Sequence, residues 1–558
     1  MILAWEQYSA EKPEETLWDA VIVGTGMGGA TLGYSLARMG LKVLFLERGG
    51  AQTRFPKGRT AGRWRRALGI ESRESMARAS GRWPLKVTLV RSSRSSMAET
   101  DLGTGPGGST AIYGGALERM RRSDFAEKPW PEGVPAPVTS EWPVDFNEFR
   151  KYYAQAEELY GVCGTRDPLD EDDNSELATP PPLSPQDQDF YDSFQAAGLG
   201  PYRIHLGIGY RKGCRECIGI PCTTDCKGDS AGKALAPALV QYGARLLLGC
   251  EVERLETREG RVTEVVAKRG TETLRIRASV VVLSAGALMS PRILLQSQSA
   301  EWPTGIGNQN DMVGRCAMFH ASDFFALRPR KSLPARMPRK TISSRALYEC
   351  DGKRLGSFQS IGMPVTQGNI FEFLDQRLRH RLLDRFPLRR ILLRVVAMGA
   401  SIFFSRSAIF ATIMEDFPYK VNRVALDDAS PDKIRIEYDD PKEFHDRIRE
   451  ARVRLKAVFR AHKPWLLTAT ADNLNLSHPC GTCRFGNDPR TSVLDPTNKV
   501  HGMENLYVVD ASFFPSSSAG NPALTIGANA LRVAEPIAQR IAELKGRGAR
   551  VAESLAVR

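Results

Sequence analysis

The sequence predicts an α/β protein: a Rossmann-like, dinucleotide-binding unit with a parallel sheet and helices, joined to an α+β region with an antiparallel sheet. Three observations predict it. A strand–glycine–helix–strand pattern occupies residues 19–47. Further apolar runs of strand length, at 280–284 and 505–510, fit buried strands of the same sheet. Between about 310 and 460 the pattern changes to short alternating runs such as Lys433-Ile434-Arg435-Ile436-Glu437-Tyr438, which suit an antiparallel sheet.

The first of these is the most informative. Residues 19–23 form an apolar, β-branched run that breaks at Gly24-x-Gly26-x-x-Gly29, with Gly28 inside the same turn, and continues in helical period to about Arg38. Gly24 permits a tight turn, Gly26 lets the backbone approach a pyrophosphate, and Gly29 lets the helix pack closely on the strand. A second apolar strand then delivers Glu47, 18 residues past Gly29, where a carboxylate can accept hydrogen bonds from ribose hydroxyls.

At 558 residues the chain exceeds a single core, so two or three domains are expected. Net charge is +13, with the excess concentrated in 54–82, 328–339 and 377–394. Nothing resembles a nucleic-acid module, and no nucleic-acid partner is expected. The opening residues lack a basic n-region, an apolar h-region and paired arginines, which predicts a cytoplasmic protein, or a periplasmic one if a partner subunit carries it across. No uncharged apolar run reaches 18 residues, so any membrane contact is expected to be peripheral.

Along the chain, 52–94 is basic with little periodicity and reads as an irregular insertion or lid. Six glycines between 103 and 115 suit backbone held against a flat ligand. After Asp145, residues Phe149, Tyr152, Tyr153, Ala156, Leu159 and Tyr160 form one apolar helical face. Strands are expected at 244–248 and 262–266, and a helix from Leu524 to about Leu544. The basic, apolar-studded stretch 374–404 reads as an ordinary amphipathic surface helix, with docking to a partner or an anionic membrane as the alternative. The division expected is a discontinuous cofactor domain (1–165, 205–310 and 470–558) and a substrate domain (166–204 and 311–469).

Several separated motifs together resemble the glucose–methanol–choline (GMC) oxidoreductase family of FAD enzymes. They are the N-terminal βαβ unit, Gly107-Gly108-Ser109-Thr110 with Gly114-Gly115, the run from Gly286 to Leu295, Val313-Gly314-Arg315 with His320, and Asn422-Arg423-Val424. Ser477-His478-Pro479, Asp510-Ala511 and Gly520-Asn521-Pro522-Ala523-Leu524-Thr525 complete them. The resemblance implies an FAD-binding Rossmann-like domain with Gly24, Gly26, Gly28, Gly29, Glu47, Gly107, Gly108, Ser109, Tyr113, Gly114, Gly115, Val252, Ala285, Asp510, Ala511, Pro522 and Thr525 at the cofactor. It also implies His478 as catalytic base and Asn521 as the group that positions the substrate oxygen. Imidazole suits proton removal near neutrality, and a flavin accepts hydride. His320 and His501 rank well below His478. Some family members attach the flavin through a histidine in the glycine-rich loop; no histidine lies between 103 and 115 here, so non-covalent FAD is expected. The C-terminal motif must fold back on the N-terminal unit, which suits a resident FAD rather than an exchanging nicotinamide.

Cys214-x-x-Cys217-x-x-x-x-Cys222-x-x-x-Cys226 places four cysteines in 13 residues. Such density suggests an iron–sulfur site, with zinc, disulfides or packed free thiols as alternatives. The run resembles that of bacterial FAD-dependent sugar dehydrogenase subunits, although Lys227 stands where a proline is expected and the opening spacing differs. Cys480 and Cys483 lie just after the expected base and read as core residues, with metal ligands or a redox pair as alternatives. The expected function is oxidation of an alcohol or sugar CH–OH with electrons passed to a non-O2 acceptor or partner subunit, by way of that cluster if it forms. The rival readings are an oxidase making H2O2 and a non-catalytic flavin-binding subunit.

Overall fold

The computed structural model describes residues 3–51, 77, 81–91, 94–130, 138–222, 224–331, 339–363, 366–377, 389–439, 441–468 and 475–556. Its centre is a seven-stranded sheet. Strand β1 (Leu17–Val23) leads through helix α1 (Met27–Arg38) to β2 (Val43–Glu47), and the two strands pair in parallel with Ala20 opposite Val43 and Val23 opposite Leu46. Arg245–Leu248 adds outside β2, and Glu272–Leu283 pairs in parallel with β1 on its other side. Leu506–Val508 then pairs in parallel with Glu272–Leu283.

Alternation along β1 accounts for a strand that is apolar throughout. Ala20 and Ile22 face a core shared with α1 and the C-terminal helix Ala523–Ala556, while Val21 and Val23 face the core built on helix Phe146–Tyr160. Asp145 caps that helix by accepting from the N–H groups of Asn147 (2.8 Å) and Glu148 (3.1 Å), and Gly161 ends it at φ 63°. Glu272–Leu283 serves two sheets' worth of partners. Its first half pairs antiparallel with Arg261–Arg269, and its second half runs parallel to β1.

Beyond this unit lies a six-stranded antiparallel sheet in the order Trp465–Thr468, Phe324–Leu327, Ala408–Ile413, Ser357–Ser360, Ile342–Ser344, Tyr202–Arg203. A four-stranded sheet joins Arg423–Asp427 and Ser430–Glu437 to Arg82–Arg91 and Arg94–Gly103. The last two strands correct the expectation of an irregular insertion over 52–94. They pair antiparallel from Arg82 opposite Gly103 to Arg91 opposite Arg94. Val87 is fully buried, and the period-two alternation of 85–90 outweighs the arginine-rich composition around it. Residues 52–76 and 78–80, the rest of the expected lid, lie outside the described residues.

The stretch 374–404 contains helix Arg389–Phe403; residues 378–388 lie outside the described residues. An ordinary amphipathic surface helix would bury its apolar residues. Here Ile391, Val395 and Ile402 are 60, 56 and 70% exposed, while Leu393 and Ala397 are buried. No described helix is long and apolar enough to cross a membrane.

The turn after β1 is where the two ends of the chain meet. Gly24 has φ +100°, and a Cβ there would overlap the carbonyl oxygen of Ser284. A Cβ on Gly28 would overlap the carbonyl oxygen of Val509, whereas a Cβ on Gly26 would meet nothing within 4 Å. Gly28→Ala should therefore destabilise the protein by about 1–3 kcal/mol, because backbone on both sides cannot yield. Gly26→Ala should stay within about 0.5 kcal/mol. Chemical unfolding of the flavin-free protein checks both.

Candidate active site

A cavity of about 540 Å³ runs from the glycine turn to the six-stranded sheet. At the first end its wall is Gly24, Thr25, Gly26, Gly28 and Glu47, joined by Gly108, Ser109, Tyr113, Gly114, Val252, Ala285, Asp510, Ala511 and Pro522. Two carboxylates organise this end. Glu47 accepts from Thr25 N (3.1 Å) and Thr25 Oγ1 (2.7 Å) on one oxygen, and from Gly49 N (2.8 Å) and Gly105 N (3.0 Å) on the other. Asp510 accepts from Gly286 N (2.9 Å) and Ser290 Oγ (2.5 Å), and from Ser512 N (2.9 Å) and Ser512 Oγ (2.5 Å). Each therefore ties loops together with all the bonds a carboxylate ordinarily accepts. Glu47 faces the cavity with these bonds already made, so a ribose hydroxyl would be an additional donor.

Other residues expected at the cofactor lie behind this wall. Gly29 packs against Ile22 and Ser284, as a close helix–strand contact requires. Gly107 packs against Ala231 and Gly115 against Ile208. Thr525 is buried, with its hydroxyl 2.8 Å from that of Tyr153. Tyr113 lines the cavity while its hydroxyl donates to Gly228 O (2.8 Å).

The far end is built by strand pairing. Met318–His320 and Asn475–Cys480 form a two-stranded antiparallel ribbon with a register shift between Met318 and His320. It sets His320 Nδ1 3.0 Å from His478 Nδ1, with the rings nearly perpendicular at 87°. His320 Nε2 lies 2.8 Å from the carbonyl oxygen of Ser518. Burial holds both imidazoles below their ordinary value, His320 at about 4 and His478 at about 3; nearby His320 and Lys340 add to the lowering at His478. Both rings are neutral at pH 7, and one tautomer arrangement follows. A carbonyl only accepts, so His320 carries its proton on Nε2 and its Nδ1 is an acceptor. His478 must then donate from Nδ1, which leaves its Nε2 as an acceptor with no donor among the described residues. His320, ranked well below His478 on sequence, is thus the group that sets the state of His478. His501 lies elsewhere, with Nε2 2.9 Å from Ser492 Oγ.

Asn521 shares the cavity with His478, and its Oδ1 is buried without a hydrogen-bond partner among the described residues. Phe324, Ala411 and Gln359 form one cross-strand row of the six-stranded sheet and line the same space, as does Lys340. Sequence reading missed these residues: single positions in short strands carry no motif, and only the strand register brings them into one row.

The cysteine run takes a different form from the cluster expected of it. The ten cysteines form no disulfide in this structure. Among the described residues, no three or more His, Cys, Asp or Glu side chains come together to hold a metal ion. Nothing in this arrangement therefore supports an iron–sulfur cluster or zinc at Cys214, Cys217, Cys222 and Cys226. Cys222 Sγ instead accepts from Cys226 N (3.4 Å), and Thr224 Oγ1 lies 3.0 Å from Cys226 Sγ. The loop forms a wall of the cavity through Ile218, and Lys227 secures it by donating to Ala111 O (3.0 Å) and Ile220 O (2.9 Å). Cys480 and Cys483 are buried core thiols, as expected, and burial pushes both up.

A flavin dinucleotide fits these residues: open space over Gly26, a glycine-lined wall, and a continuous path to a bare imidazole nitrogen. The chain belongs to the GMC oxidoreductase family, whose N-terminal and C-terminal models match residues 19–321 and 418–530. It is 28% identical to a 6'''-hydroxyparomomycin C oxidase of Streptomyces lividus over 95% of this chain and 92% of that protein. It is 26% identical to a 2-methyl-1,2-propanediol dehydrogenase of Mycolicibacterium austroafricanum over 94% and 96% of the two chains. Its fold matches the crystal structure of pyridoxine 4-oxidase from Mesorbium loti with a TM-score of 0.59 at 20% identity, covering 93% of this chain and 99% of that one. The chain is an oxidoreductase of this flavoenzyme family, in which alcohol and sugar-like CH–OH compounds are the substrates.

The histidine pair also predicts a pH dependence of stability. An unfolded histidine takes up a proton near 6.5, while these two resist until about 4 and about 3. The unfolded state thus binds more protons between those limits, and stability falls as pH drops below about 6.5. The slope should approach about 1.4 kcal/mol per pH unit for each histidine. Urea unfolding between pH 4.5 and 7 should show a shallower slope in His320→Asn than in the parent protein.

Proposed function

We propose that this chain is an FAD-dependent alcohol or sugar dehydrogenase that oxidises a CH–OH group and passes the electrons to an acceptor other than O2, with a separate electron-acceptor protein or small subunit as partner. The observation that carries the reading is the Nε2 of His478, left as an acceptor, in one cavity with the glycine turn of β1 and with Asn521, whose Oδ1 has no partner among the described residues. Bound FAD supplies the hydride acceptor. We read it as non-covalent, since the loop 103–115 offers no histidine for attachment and Tyr113 spends its hydroxyl on Gly228.

His478 removes the hydroxyl proton through Nε2. The ring stays aligned because its Nδ1–H donates to His320, whose own Nε2–H donates to Ser518 O. A ring that titrates at about 3 is neutral, and so competent as a base, across the physiological range. An alkoxide forming beside it supplies a countercharge that raises its basicity as the proton moves. Asn521 holds the substrate oxygen in place. The non-O2 acceptor draws support from the diol dehydrogenase among the relatives. An oxidase is the second reading, favoured by the 28% identical paromomycin-type oxidase.

Purified protein should release FAD on acid precipitation, and its flavin should bleach anaerobically with an alcohol or sugar. His478→Ala should retain flavin and lose about 10²–10⁴-fold in the rate of bleaching. Protein without flavin, or full turnover by that variant, refutes the reading. Peroxide formed in step with substrate loss selects the oxidase.

A further inference from the structure

Lys340 is a buried cation at the substrate end of the cavity that the reaction above does not use. It is 6% exposed and lines the same space as His478. Its position is fixed from both sides. The backbone of Thr341 donates to Ser360 Oγ (2.8 Å), and the Lys340 ammonium stands 3.3 Å from where a Cβ of Gly114 would lie. Among the described residues the ammonium has no hydrogen-bond acceptor. Glu118 attracts it, but that carboxylate is engaged by Tyr202 Oη (2.8 Å) and by Arg345 at 3.6 Å. Across the sheet, Gln359 is 7% exposed, and its Oε1 is buried without a partner among the described residues. A desolvated ammonium and a desolvated amide oxygen in one cavity each cost free energy until a ligand satisfies them.

We propose that Lys340 and Gln359 form a substrate subsite for a hydroxy acid: Lys340 Nζ binds the carboxylate, Gln359 Oε1 accepts from a second hydroxyl, and the carbinol to be oxidised faces His478. The inference rests on the proposed alcohol oxidation and narrows its substrate class. An ammonium-bearing alcohol is disfavoured, because it would bring a second cation to a dry site that already holds one. Burial lowers the Lys340 amine to about 8, with Glu118 acting in the opposite direction. It is cationic at neutral pH, and carboxylate binding should weaken as pH rises past about 8.

The test compares flavin reduction of the FAD-loaded enzyme by glycerate, glycerol and 3-amino-1,2-propanediol. The acid should exceed the neutral alcohol at least tenfold in kcat/KM, and the amine should rank last. Lys340→Met should lower kcat/KM for glycerate at least ten times more than for glycerol, chiefly through KM, with Lys340→Arg in between. A preference for the amine, or an equal loss on all three compounds, overturns the proposal. Calorimetric titration with 2-hydroxyisobutyrate, which has no hydrogen on its carbinol carbon, separates binding from oxidation. Binding to the parent enzyme that Lys340→Met loses supports the subsite even if no alcohol bleaches the flavin, in which case the oxidation reading alone fails. Absence of binding to the parent enzyme overturns the subsite.

Discussion

Two neutral imidazoles that meet Nδ1 to Nδ1 can share a hydrogen bond only if one gives and the other takes. In this protein the carbonyl of Ser518 makes that choice, and the chemistry offered to the cavity follows from it. The carbonyl must therefore be held firmly. Lys128 Nζ donates to the neighbouring Ser517 O (2.7 Å), Ser517 Oγ donates to Asp416 O (2.8 Å), and Ala519 N donates to Tyr348 Oη (3.2 Å). Behind them, Lys128 pairs with Glu415, Glu415 with Arg354, and Arg354 with Asp124, all buried. Removing one member would leave an uncompensated buried charge, which typically costs about 3–5 kcal/mol. This arrangement is a costly way to stabilise a fold, and an effective way to hold one carbonyl in place.

The cofactor end relies on the same device in another form. Glu47 and Asp510 are carboxyl groups satisfied by donors from the protein itself, so each works as a tie between loops. The cavity between them and the histidines is lined by backbone, apolar side chains and charged ones such as Arg48, Arg82 and Arg292. At its substrate end, Asn521 Oδ1 and Gln359 Oε1 are buried without a partner among the described residues, beside the cavity that His478 and Lys340 also line.

Much of this was legible in the sequence. The βαβ fingerprint placed β1, α1 and β2 correctly, since three glycines of distinct purpose, in fixed order between two apolar strands, suit little besides a dinucleotide turn. His478 and Asn521 were legible as members of a pattern spread over the C-terminal part. His320 and Lys340 were not, because their roles arise from pairing: a ribbon with a shifted register brings His320 to His478, and a six-stranded sheet brings Lys340 and Gln359 to one cavity. The cysteine run is a different case. Its spacing is a strong local signal, but a metal needs three or more groups gathered to hold it, which the described residues do not show, and Lys227 of the same loop braces the glycine-rich segment. Composition misled at 82–91, where charged residues obscured a clear two-residue alternation.

The contact between Gly28 and Val509 has a consequence for how the protein is made. The glycine turn is among the first segments to leave the ribosome, yet the strand that closes over it, and the Asp510 carboxylate that ties the end of that strand to Gly286, come about 480 residues later. At about 5–20 residues per second, about 25–100 seconds separate the two. Until then the first strands are a half-built sheet with apolar faces and an open edge, which the nascent chain must keep from pairing with the wrong partner. The long C-terminal helix and its preceding strand act as the closing clasp of a structure whose first pieces have been waiting throughout synthesis.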